Sequence, residues 1–208
     1  MNDDLIKQSK LIEKIPDAFN MSRIKSEKIE SIDLIASYAK KSSSLGFKTT
    51  IISQSKTLWS LLDDNINIVD PFKKREISFQ YVKDELGIPP SKVNDIFALS
   101  GCYSVNIPKI KGIDTKVAAE LIKKFESVEN LLQRINEITE KKIKELLIEN
   151  TENILKYKKI LSFQNVNDLP IDIKNLKFKK IYSTKLLNFL NYMEFNRMKE
   201  YVTKLSDH

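Results

Sequence analysis

Residues 87–125, GIPPSKVNDIFALSGCYSVNIPKIKGIDTKVAAELIKKF, read as two helices joined by a basic, glycine-containing loop. Ser91 is placed to cap a first helix with Val93, Ile96 and Phe97 on one stripe, and Gly101 stands just past its end. Asp114 or Thr115 caps a second helix with Val117, Ala118, Leu121, Ile122 and Phe125 inward. Between the two lie Asn106, Pro108, Lys109, Lys111 and Gly112. A short turn feeding a helix N-terminus presents free backbone N–H groups and the positive end of a dipole, which suits a phosphate. Lys109, Lys111 and Lys116 add mobile positive charge at the same place. An ordinary helix pair with a solvated loop has the same pattern, so the context decides between the two.

The rest of the chain supplies that context. Its 208 residues suffice for one domain, or one domain with a smaller appendage, and 41% apolar residues mark a folded protein. A net charge of +7 with a pI near 9.2 favours an acidic partner such as nucleic acid, although a lysine-rich genome bias gives the same sign. One cysteine excludes an internal disulfide framework and a structural zinc site, and a reducing cytoplasm is the default. The sequence shows no signal peptide, membrane span, internal repeat or low-complexity linker, so no membrane partner is expected.

Residues 3–19 read as one amphipathic helix and residues 21–25 as a short strand. A helix over residues 29–45 places Ile29, Ile32, Ala36 and Ala39 inward, with Glu30, Asp33 and Ser37 on the neighbouring face at i, i+3, i+7. Two carboxylates on one face can hold a divalent cation; the plainer reading is a solvated face. Residues 47–53 read as a buried strand, residues 56–62 as a helix and residues 66–69 as a further strand closed by the Asp70-Pro71 turn. Strands alternating with helices predict a parallel sheet whose crevice, at the strand carboxyl ends, holds Ser53 and Ser55. Ser78 caps a helix to Leu86. Beyond Phe125 the chain reads as helical through Leu161 and broken near residues 165–170. A basic run over residues 173–185 then interleaves lysines with Phe178 and Tyr182, before a terminal helical pack built on Leu186, Leu187, Leu190, Met193 and Phe195. Cys102 and His208 have no catalytic partner readable from the sequence.

These blocks resemble, in order, those of the 5′ nuclease family, which includes the 5′-3′ exonuclease domain of bacterial DNA polymerase I and the flap endonucleases. The family's helix–three-turn–helix pattern, approximately GDxSDNIPGVPGIGxKTA, is similar without a gap to GCYSVNIPKIKGIDTKVA at residues 101–118. IESIDLIASYAKKSSSLGFKTTIISQSKTLWSLL at residues 29–62 resembles YEADDIIAxxAxxxxxxGxxVxIISxDKDLxQL. INIVDPFKKREIS at residues 66–78, and the segments FESVENLL, ENTENILKYKKILSF and LLNFLNYMEFNRM, fit the family's remaining elements. The resemblance implies an α/β fold in two parts. Residues 1–86 would form a truncated, PIN-like parallel sheet flanked by helices, and residues 87–208 a mainly helical region carrying the helix–three-turn–helix DNA-binding element.

The departures from the family pattern are as informative. The resemblance implies metal sites built from carboxylates of distant segments, because phosphodiester hydrolysis by bound divalent ions requires hard oxygen ligands. The EADD set falls on Glu30, Ser31, Ile32 and Asp33, the SxDKD aspartates on Ser55 and Thr57, and the GDxSD aspartates on Cys102 and Val105. Glu30 and Asp33 are the residual candidates for a metal; Ile32, Ser55, Thr57, Cys102 and Val105 are degenerate ligand positions. Met1 falls where the family pattern has already passed its first strands and its arch-like basic helix. Asp114, Lys109 and Lys111 replace family glycines and a proline beside the phosphate-facing turn, exchanging a backbone cradle for a Coulombic contact.

The favoured expectation is therefore a DNA-binding protein of replication or repair that contacts duplex or branched DNA through Asn106, Lys109, Lys111, Gly112, Thr115 and Lys116, with nuclease activity lost or severely reduced. The alternatives are an active 5′-3′ exonuclease or flap endonuclease completed by another chain, and a protein-interaction module or remnant. The resemblance further implies Mg²⁺ or Mn²⁺ for an active enzyme and a monovalent cation at the helix–three-turn–helix loop. The implied partners are DNA, a DNA polymerase or a chain supplying the first strands, in the cytoplasm at the nucleoid.

Overall fold

A computed structural model describes residues 3–177 and 183–206. Phe178, Lys179, Lys180 and Tyr182 of the basic–aromatic run, and His208, lie outside the described residues. By packing, the chain forms two units: residues 28–169, and a smaller one from residues 1–27 with 170–208. Position 86/87 lies inside the larger unit.

In the smaller unit, α1 (Asp3–Ile12) and α2 (Ile15–Ala18) replace the single helix expected over residues 3–19. Pro16 is the cause: it has no N–H to donate to the Ile12 carbonyl and its ring clashes there, so it starts a new turn instead. Residues 21–25 form no strand. Ala18 packs with Leu186 and Leu190 of the helix over Ser183–Tyr192, with Phe19, Phe189 and Val202 around them.

The larger unit is α/β. Helix α3 (Ser31–Ser44) leads to strand β1 (Thr49–Ile52), a 3₁₀ turn (Lys56–Leu61) and β2 (Ile66–Asp70). Strands β1 and β2 pair in parallel, Thr49 opposite Ile66 and Ile52 opposite Val69. A third strand that the sequence pattern does not show, β3 (Arg75–Ile77), joins β2 antiparallel with Ile77 opposite Ile68. The sheet order β1-β2-β3 leaves β1 as an edge, and the expected buried strand is half in water: Ile51 is 7% exposed and Ile52 70%.

The Ser78 hydroxyl caps α4 (Phe79–Leu86) by accepting the Tyr81 N–H at 3.1 Å, as expected. Ser91, by contrast, lies within the 3₁₀ turn Pro90–Lys92, and α5 (Val93–Ser100) starts after it. Where the sequence pattern predicts one apolar stripe on α5, every residue from Val93 to Ser100 is buried, because α6 (Thr115–Phe125) and α9 (Thr151–Leu161) both pack on it. Its polar side chains are partly matched: Asn94 donates to Ser60 Oγ at 3.0 Å and to the Leu161 carbonyl at 2.9 Å, and Asp95 Oδ1 accepts the Val128 N–H at 3.0 Å and Lys158 Nζ at 2.5 Å, while Asn94 Oδ1 and Ser100 Oγ are buried with no partner among the described residues. Between α6 and α9 run α7 (Val128–Gln133) and α8 (Lys141–Glu149). No described helix is long and apolar enough to cross a membrane.

Candidate functional site

The loop between α5 and α6 is held from within by isoleucines. Cys102 and Ile107 exchange backbone hydrogen bonds at 2.9 Å in both directions, closing a hairpin whose last turn residue, Asn106, is left-handed at φ 54°. Ile110 and Ile113 then form a second turn, Ile113 N–H to Ile110 carbonyl at 3.0 Å. Ile107, Ile110 and Ile113 are 4%, 6% and 0% exposed. With every third residue pinned into the core, Pro108, Lys109, Lys111 and Gly112 have nowhere to go but outward, and all are exposed. Gly101 (φ 83°, ψ 160°) permits this fold-back: a Cβ there would lie 2.8 Å from Lys109 Cα and N.

Asp114 caps α6, its Oδ1 accepting the Val117 N–H at 2.9 Å. That occupies one of the amides a phosphate would use, so attraction at this end rests on the lysines. Thr115 and Lys116 also line a groove of about 570 Å³, where Lys56 and Lys123 add positive charge and Glu85 and Glu120 offset it. Sequence reasoning missed Lys56 and Lys123, which come from a 3₁₀ turn and the far end of α6.

The five residues that the resemblance aligns with ligand positions, Ile32, Ser55, Thr57, Cys102 and Val105, converge elsewhere, around an open crevice of about 610 Å³ at the carboxyl end of β1. Ile32, Ser55 and Val105 line it. Thr57 and Cys102 sit behind, buried, each bonded to a lining serine: Thr57 Oγ1 is 2.8 Å from Ser55 Oγ, and Cys102 Sγ is 3.2 Å from Ser104 Oγ. Glu30 also lines the crevice, at the extended N-cap position before α3 rather than within the helix. Asp33 is buried and its Oδ1 accepts the Gln164 N–H at 2.9 Å; Ser37 Oγ likewise accepts the Val166 N–H at 3.1 Å. Neither residue forms the solvated face expected of them.

This donor set does not fit a pair of catalytic divalent ions. Among the described residues no three His, Cys, Asp or Glu side chains gather as a metal group, and hydroxyls beside a single carboxylate lack the charge such ions require. Sequence reasoning also missed Phe72, 77% exposed at the crevice, on a turn that Asp70 Oδ1 builds by accepting the Phe72 and Lys73 N–H groups, both at 3.0 Å. The Asp-Pro signal for that turn is visible in the sequence.

Family models match nearly the whole chain: the 5′-3′ exonuclease N-terminal resolvase-like domain over residues 1–87 and the 5′-3′ exonuclease C-terminal SAM fold over residues 88–184. The chain belongs to the 5′-3′ exonuclease family. It is 31% identical to DNA polymerase I of Rhizobium leguminosarum over 99% of its own length and 20% of the polymerase. It is 33% identical to the 5′-3′ exonuclease of Buchnera aphidicola over 81% of this chain and 61% of that one. The chain thus spans less than two thirds of these relatives. In fold it is similar to bacteriophage T5 flap endonuclease in complex with DNA and metal ions, with a TM-score of 0.61 at 15% identity over 89% of this chain and 62% of that one.

Proposed function

We propose that this member of the 5′-3′ exonuclease family binds duplex or branched DNA without sequence preference, through Asn106, Lys109, Lys111, Gly112, Thr115 and Lys116, and does not hydrolyse it. The observation that carries this reading is the loop in which buried Ile107, Ile110 and Ile113 turn Lys109 and Lys111 outward. Lysine contacts to phosphate position a protein on DNA without reading bases. The loss of metal-dependent hydrolysis rests on the crevice, where Ile32, Ser55 and Val105 stand at family ligand positions and Asp33 is engaged by Gln164. Functionally, residues 1–86 act as a former catalytic part and residues 87–208 as the DNA-binding part, with the nucleoid as the site of action. The test is fluorescence anisotropy of a labelled duplex in EDTA over a salt series. Binding that weakens linearly in log–log form supports the reading, and no binding at low salt refutes it.

A second reading is favoured by one observation. Strand β1 is an open edge: Thr49 and Ser53 donate their N–H groups to Asn65 and Val69, so the alternate N–H groups of Thr50 and Ile52 face away from β2. A partner chain supplying strands there would complete the sheet and contribute carboxylates. Co-purification of such a chain with metal-dependent cleavage by the pair would establish this reading.

A further inference from the structure

The open edge of β1 is a row of main-chain groups set for another strand, and the side chains along it decide which strand fits. The N–H groups of Thr50 and Ile52 face away from β2, the one strand beside β1 in the sheet. Edge strands are commonly guarded by a lysine. Here Lys48 is drawn aside, its Nζ donating to the Asp64 carbonyl at 2.7 Å. Lys48, Thr50 and Ile52 alternate onto one exposed face, and Ile52 and Phe47, 70% and 51% exposed, leave apolar surface at the two ends of the edge.

This edge complements itself. Two copies related by a two-fold axis must pair it antiparallel, and because only the even-numbered residues turn their main-chain groups outward, those residues must face one another. With the axis at Thr50, the two Thr50 residues exchange both bonds and Ile52 lies opposite Lys48 of the second copy. A threonine pair and an isoleucine against a lysine stem are favourable cross-strand neighbours, and no charge opposes its like. An axis one residue later would place Lys48 opposite Gln54, beyond the end of β1 at Ile52.

We propose that this chain forms a two-fold homodimer by antiparallel pairing of β1 with β1 of a second copy, centred on Thr50, which joins two three-stranded sheets into one. The dimer is independent of DNA binding, and it competes with the second reading above, in which a separate chain occupies the same edge. The first readout is sedimentation velocity of the full chain over a dilution series, where the mass should rise from 24.1 kDa toward twice that value as concentration rises. Each copy carries a net charge of +7, so added salt should strengthen the dimer while it weakens duplex binding. Thr50→Pro removes one outward N–H and leaves the bonds to β2 in place, so it should be a monomer throughout. The second readout is disulfide trapping, with the native Cys102 buried. Residues of a bonded antiparallel pair have Cα atoms about 5.5 Å apart, within the reach of a disulfide, so Thr50→Cys should bridge to its copy. Ile52→Cys, four residues along the strand and about 13 Å from its copy, should not. If circular dichroism shows that Thr50→Pro does not fold, the two cysteine variants decide the register alone. A 24.1 kDa species at every concentration would overturn the dimer and leave the edge to a separate chain. A dimer that persists in folded Thr50→Pro, or bridging by Ile52→Cys as ready as by Thr50→Cys, would overturn the pairing through β1.

Discussion

Asp33 Oδ1 accepts the main-chain N–H of Gln164 at 2.9 Å, joining two points 131 residues apart in the chain. With Ser37 beside it bonding the Val166 N–H, α3 is tied to the segment that follows α9. A carboxylate that the sequence pattern offers as a metal candidate has a structural task here, and that changes what its removal does.

Replacing Asp33 with Ala leaves the Gln164 amide without its charged acceptor in a part-buried hydrogen bond. The expected loss is about 1–3 kcal/mol of stability, read as a lower urea midpoint, while Asp33→Asn, which keeps an oxygen in place, loses less. Unchanged stability in Asp33→Ala would show that the bond carries no weight.

Lys109, Lys111 and Lys116 replaced together by Ala should weaken duplex binding evenly across sequences. The log–log salt slope should become shallower by about 0.9 for each phosphate that is no longer neutralised. An unaltered slope would place the DNA on other residues, of which Lys56 and Lys123 in the adjoining groove come first.

Gly101 and Gly87 form an internal comparison. Gly87, at φ 69°, has nothing within 4 Å of an added Cβ, so Gly87→Ala meets backbone strain alone, about 1–2 kcal/mol. Gly101→Ala adds a 2.8 Å clash with the Lys109 backbone in a region nearly reserved for glycine, where strain alone is about 1–3 kcal/mol. Thermal melts should rank Gly101→Ala well below Gly87→Ala, and DNA affinity should fall only in the former, because only there is Lys109 displaced.

The Phe72 turn has a defined acid limit. The Lys73 amide above all, with the Phe72 amide and the Lys73 and Arg75 charges, holds the Asp70 carboxyl below its ordinary value of 3.8. A carboxyl depressed in the folded state gives stability that is full above its unfolded value and lost as pH falls through its folded one. Amide resonances of Phe72 and Lys73 should therefore shift on acidification with a midpoint below 3.8. Asp70→Asn, which retains the acceptor without the charge, should abolish that transition; loosening between pH 5 and 7 would contradict the assignment.

What could be read from the chain was what lies within a few residues. Ser78 and Asp114 cap helices whose first turns follow them directly, and Gly101 ends α5 where the stripe ends. The break before Pro16 obeys the same local rule but is hidden beneath a continuous apolar pattern. Strand β3 left no signature, because Arg75-Glu76-Ile77 is too short to alternate and exists through its pairing with β2. The crevice was legible only as separate blocks, since nothing in their spacing says that Ile32, Ser55 and Val105 meet. Asp33 looked exposed because its partner is a backbone amide far along the chain, a contact that side-chain periodicity does not encode.

The most direct test incubates the purified protein with a labelled 5′-flap duplex in Mg²⁺, in Mn²⁺ and in EDTA, and reads binding and cleavage from the same samples. A metal-free binding protein shows equal, salt-sensitive binding in all three and no product. Metal-dependent cleavage that disappears in Glu30→Ala would contradict it and make the chain a nuclease.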